Sequence, residues 1–115
     1  MLFRSFATAS ANLVVMLQLN PHSAIADEAW YWLGEARYLD RSFAEALTVS
    51  NTLIQYFPQS DYVPAVQLRI GLILYEMKEY AASRDMINAL IAGSPKDAIA
   101  RRAGALLQDL KVAGF

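Results

Sequence analysis

The segment Leu33-Gly34-Glu35-Ala36-Arg37-Tyr38 returns 37 residues later as Ile70-Gly71-Leu72-Ile73-Leu74-Tyr75. The aliphatic residue, the glycine and the tyrosine keep their places at one shift. The same shift carries Pro21 onto Pro58 and Pro95, Phe6 onto Phe43 and Tyr80, Ala7 onto Ala44 and Ala81, and Ala9 onto Ala46 and Ser83. It also brings Met16 onto Leu53 and Leu90, and Leu17 onto Ile54 and Ile91. Prolines, glycines, small residues and aromatics do different physical work. Their joint recurrence marks a repeat array rather than one accidental proline spacing.

Each unit reads as a pair of helices. Over residues 24–39 the apolar Ala26, Trp30 and Leu33 stand at helical spacing. Asp40-Arg41-Ser42 is a short polar turn. A second helix follows over 43–57, and Pro58 stops it because proline lacks the ladder donor and disfavours helix in the residue before it. The next unit repeats the plan with a helix over 61–77 that tolerates Pro64 in its first turn, a turn at Lys78-Glu79 and a helix over 80–92. Ser23, Ser60 and Asp97, each two residues past a proline, are the expected N-caps.

The phase of the array matters. Residues 1–21 align with the second helix of a truncated repeat; 24–58 and 61–95 are whole repeats; 98–112 is a closing helix. The fold class is therefore all-α, a superhelix of stacked antiparallel helix pairs with about six helices. The opening helix is apolar on several faces, with Leu13, Val14, Val15, Met16 and Leu17 in one run. Such a surface tends to find a protein, so self-association through this helix, or an origin in a longer array, is expected.

Composition narrows the function. The chain has 115 residues, 56% hydrophobic and 18% charged, as a single folded domain would. A net charge of −1 argues against an electrostatic nucleic-acid binder, and Arg101-Arg102, the only basic doublet, reads as a solvated face. With no Cys and the single His22, thiolate sites, a histidine metal cluster and a Ser-His dyad are excluded or poorly supplied. Asp27-Glu28, and Asp40 with Glu45, read as helix-start and surface charges rather than an acid–base pair or, with His22, a metal site. Gly34 and Gly71 are isolated and mid-helix, so no phosphate loop is present. The expectation is no catalytic residue, no metal and no cofactor. There is no apolar run long enough for a membrane span. The small residues 7–11 precede the apolar run, the reverse of a secretory signal.

Trp30-x-x-Leu33-Gly34, then Ala46, then Pro58 resembles the tetratricopeptide repeat. Gly34 and Ala46 would let the paired helices approach, with Trp30 and Leu33 filling the seam. Tyr38 falls one place late against the pattern, Ser50 stands at a consensus aromatic, and the second repeat has Gln67 for Trp and Ser83 for Ala. The common period is about 34 residues. The three extra residues here lie between Pro58 and Gly71 and are expected to lengthen the start of the next helix. The phrase Tyr56-Phe57-Pro58-Gln59-Ser60-Asp61-Tyr62-Val63-Pro64 is similar to the extended repeats of two bacterial envelope families. One is the Tol–Pal-associated cell-division coordinator (YbgF/CpoB type). The other is the outer-membrane assembly lipoprotein (BamD/ComL type).

That resemblance implies a right-handed superhelix and a non-catalytic scaffold that binds a peptide or protein partner in the periplasm or cell envelope, in cell division or outer-membrane maintenance. In such arrays the first helices line the concave surface. By register, Tyr31, Glu35, Tyr38, Leu68, Leu72 and Tyr75 form the expected partner-binding groove, while Trp30, Phe6, Phe43, Tyr80 and Phe57 are expected in the core. The alternatives are a self-associating structural segment and an accessory repeat region of a larger cytoplasmic protein.

Overall fold

The computed structural model describes residues 26–115, and among these there are five helices and no strand. They are α1 (Ala26–Leu39), α2 (Phe43–Tyr56), α3 (Val63–Glu76), α4 (Tyr80–Ala92) and α5 (Asp97–Val112). The opening helix, the Pro21 stop, His22 and the Ser23 cap lie outside the described residues. The all-α class expected from the period is observed. Two compact units are present, one ending at Val63 and the other spanning Pro64–Phe115.

In the first unit α1 packs against α2. Ala26, Ala29 and Leu33 form the buried centre, with Trp30, Val49 and Phe57 laid against it. Trp30 meets Tyr56 edge-on, ring centres 6.4 Å apart. In the second unit Leu68 of α3, Ile87 and Leu90 of α4, and Ala103, Leu106 and Leu110 of α5 form one cluster, flanked by Tyr75 and Tyr80.

Small residues set the approach of paired helices. Gly34 and Gly71 are both buried, as the period requires. A Cβ on Gly71 would run into the Ile87 side chain, with Cγ1 only 2.8 Å away. Ser83, which replaces alanine in the small-residue column, is fully buried and donates its hydroxyl to the Gly71 carbonyl over 2.7 Å. A serine is tolerated there because the close backbone supplies an acceptor; without one, burying the hydroxyl would be costly.

The two inter-helix turns are the same device, 37 residues apart. After α1, the amide of Arg41 donates to the Tyr38 carbonyl and that of Ser42 to the Arg37 carbonyl. After α3, Lys78 donates to Tyr75 and Glu79 to Leu74. This is the Schellman ending, whose penultimate residue adopts the left-handed conformation. Arg41 and Lys78 do so with φ of 61° and 62°. A third copy closes α5, where glycine takes the left-handed place: Gly114, φ 97°.

The helix starts differ from expectation. Lys96, not Asp97, is the N-cap of α5, and Asp97 is its first helical residue. Ser60 lies ahead of α3, which starts at Val63, whereas α5 starts at Asp97, directly after Lys96. After Pro58 the residues up to Val63 form a loop instead of extending the helix. The Ser60 hydroxyl accepts the Tyr62 amide at 3.2 Å, and the Ser60 carbonyl accepts the Val63 amide at 3.1 Å. These local bonds compete with helix and hold the loop as turns.

Two outcomes test these contacts. Gly71→Ala gains about 1 kcal/mol of helix propensity but overpacks Ile87 at about 1–3 kcal/mol, so net destabilisation is expected. Gly104→Ala, in α5 with nothing within 4 Å of its Cβ position, is expected to stabilise by about 1 kcal/mol. Urea unfolding of both variants reads the opposite signs. Lys78→Gly relieves a left-handed lysine and should raise stability by about 1 kcal/mol, whereas β-branched Lys78→Val should lower it.

Candidate functional site

α1 carries an exposed face. Glu28, Trp32, Glu35 and Leu39 recur at intervals of four, three and four residues, which aligns them along one side of a helix. Trp32 is 52% exposed and Leu39 53%, both unusual for large apolar side chains. Tyr31 flanks the stripe, with its ring edge-on to Trp32 at 5.1 Å and stacked on Tyr62 at 4.6 Å, 24° from parallel. Tyr62 reaches α1 because the post-Pro58 loop is tied back to it: the Ser60 hydroxyl donates to Asp27 Oδ2 over 2.7 Å. Desolvation raises the Tyr62 phenol above its ordinary 10.0, and the charges of Glu28 and Asp27 add to the rise, as does a hydrogen bond to Glu28. Glu45 of α2 pairs with Arg37 at 2.9 Å.

The expected groove residues divide between the two units. Tyr31, Glu35 and Tyr38 are half-buried on α1. Tyr38 leans on Phe43, ring centres 6.0 Å apart, across the Arg41 turn. In the second unit Tyr75 leans on Tyr80 at 5.2 Å in the equivalent way. Tyr75 and Leu72 both pack against the core of their own unit. Leu68 departs from the groove expectation. It is 3% exposed, inside the cluster with Ile87 and Leu106, because α4 and α5 cover its side of α3. Of the residues expected in the core, Trp30, Phe57, Phe43 and Tyr80 are all partly buried, and Phe6 lies outside the described residues.

Trp32 and Tyr62 were not assigned to the site by register. Trp32 sits one turn from Glu28, so its companions were visible in the helical spacing. Tyr62 could be placed only once the loop was seen to fold onto Asp27.

The tetratricopeptide repeat family profile matches residues 28–60, from α1 through α2 to the loop that Ser60 anchors. Residues 28–60 are a tetratricopeptide repeat. The match spans the helix pair and the Pro58 stop, and the exposed stripe of α1 starts at its first residue. Tetratricopeptide repeats are protein–protein interaction modules. No curated protein matches the chain. No described helix is long and apolar enough to cross a membrane.

The raised phenol has a pH consequence. Tyr62 holds its proton more tightly in the folded chain than in the unfolded one. The associated stability is therefore fully present below about pH 10 and is lost as pH rises through the folded value. Tyr62→Phe should abolish this alkaline loss. In a difference titration against that variant, Glu28→Gln should bring the phenol back toward its ordinary value.

Proposed function

We propose that the chain is a non-catalytic scaffold whose tetratricopeptide repeat holds a peptide or protein segment along α1. The observation that carries this is the exposed stripe with Trp32 at its centre. An open tryptophan beside a stacked tyrosine pair is the residue chemistry of an interface hot spot, with large area and little side-chain entropy to lose. Tyr31, Glu35 and Tyr38 contribute their outward edges, and Leu39 extends the apolar contact.

The expected location rests on the 37-residue period and the phrase between Tyr56 and Pro64. Their resemblance to envelope repeats supports work in the bacterial cell envelope, in cell division or outer-membrane maintenance. Fractionation of cells carrying the tagged full-length protein tests this, and recovery with cytoplasmic markers would overturn it.

For the scaffold itself, the decisive measurement is a partner captured by the wild-type chain, identified by mass spectrometry and then titrated in pure form. Trp32→Ala should weaken its affinity by about tenfold or more while leaving the melting temperature unchanged. A loss of affinity that merely follows a loss of folded protein would overturn the assignment of this face.

A further inference from the structure

α5 has two distinct sides. Ala103, Leu106 and Leu110 turn into the core of the second unit. On the other side Ala98, Arg101, Ala105, Gln108 and Val112 follow one another at steps of three and four, and all are exposed, Val112 to 82%. Ala98, Ala105 and Val112 are seven residues apart, and exposed Arg102 and Asp109 flank the stripe at the same spacing. That is the pattern of a helix that meets another helix side by side. Among the described residues, none of Arg101, Arg102 and Asp109 has an ion-pair partner. The stripe also differs on either side of Ala105. Before it stand a small residue and two cations, Ala98 with Arg101 and Arg102. After it stand an amide, a carboxylate and a larger apolar residue, Gln108, Asp109 and Val112.

We infer that this face pairs with the same face of a second copy of the chain, the two α5 helices running antiparallel about a two-fold axis at Ala105. In such a pair each residue meets the one equally far beyond the axis. Ala105 then faces its own copy, Ala98 faces Val112, and Arg101 and Arg102 face Gln108 and Asp109, at both ends of the contact. The charges choose the direction. In a parallel pair Arg102 would lie beside Arg102 and Asp109 beside Asp109, and like charges in contact are unfavourable. Antiparallel, the guanidiniums are brought to a carboxylate and an amide oxygen. The sizes agree, since the smaller Ala98 receives Val112 and two alanines lie at the axis, where small side chains let the helices approach. A second copy is favoured over an unrelated protein because the stripe supplies both halves of its own complement. One helix pair buries little surface, so the dimer is a weak one. This reading is independent of the one made for α1.

The chain has no cysteine, so single-cysteine variants of the full chain read the geometry directly. Under mild oxidation Ala105→Cys should cross-link to a covalent dimer. Ala98→Cys and Val112→Cys should each stay uncross-linked alone, because antiparallel pairing sets the two copies of either residue about 21 Å apart, and should cross-link when mixed. Sedimentation at high concentration reads the charges. The wild-type chain should dimerise, and Arg102→Asp and Asp109→Arg should each weaken the dimer by about tenfold. An equimolar mixture of these two should form a heterodimer, and the double variant Arg102→Asp/Asp109→Arg should recover the wild-type affinity. All these positions are exposed, and unchanged melting curves confirm that each variant folds. Arg102→Gln and Asp109→Asn replace any variant that does not fold and should weaken the dimer in the same direction. A wild-type monomer at the highest concentration reached would overturn the proposal. So would a dimer indifferent to both charge reversals, which would belong to another surface of the chain. Self-cross-linking of Ala98→Cys or Val112→Cys would show a parallel or unspecific contact and would overturn it as well.

Discussion

In the second unit a hydroxyl of one helix and a backbone carbonyl of the next meet over 2.7 Å. Two helices come this close only where one of them lacks a Cβ and the other offers a small side chain. Gly71 and Ser83 meet both conditions, and they stand 12 residues apart, as do Gly34 and Ala46. The separation follows from the turn between the helices, since a Schellman ending through Lys78 returns the chain directly onto the helix it has just left. Ile87, one turn beyond Ser83, then fills the space above the glycine and joins the cluster with Leu90, Leu106 and Leu110. The hydrophobic core of the unit thus depends on one backbone-to-helix approach, and a larger residue at either position would open the cluster.

The turns explain the placing of the two tyrosines at one repeat spacing. Tyr38 and Tyr75 each stand where the carbonyl accepts the amide of the left-handed residue, and each ring meets the aromatic that opens the following helix. Packing across the turn accounts for their recurrence in both units. The face left open on α1 is therefore centred on Trp32, a residue without a counterpart at the repeat spacing. Its equivalent one period later is Arg69, which is buried. A feature found in one repeat and not the next belongs to what distinguishes a repeat from its neighbour.

The loop after Pro58 joins scaffold and surface. Its shape comes from the two roles of the Ser60 hydroxyl, acceptor for Tyr62 and donor to Asp27. By fixing Ser60 to Asp27 of α1, the loop delivers the Tyr62 ring onto Tyr31, beside Trp32.

The repeat, the helix pairs and the buried glycines were legible in the sequence because they are periodic. Proline, glycine and apolar spacing act within one or two turns of chain, so their meaning survives without any tertiary contact. That holds for α2 and α4, whose ends follow from Pro58, Pro95 and the turn residues, and for the seats of Gly34 and Gly71. The cap at Lys96, the loop form of residues 57–62, the burial of Leu68 and the openness of Trp32 were decided by tertiary structure. Each depends on what lies opposite a residue, and in a two-helix repeat both sides of a first helix look apolar by spacing alone. Leu68 and Trp32 are equally apolar in the sequence. Only the helices that cover one and leave the other in solvent separate a core residue from an exposed one.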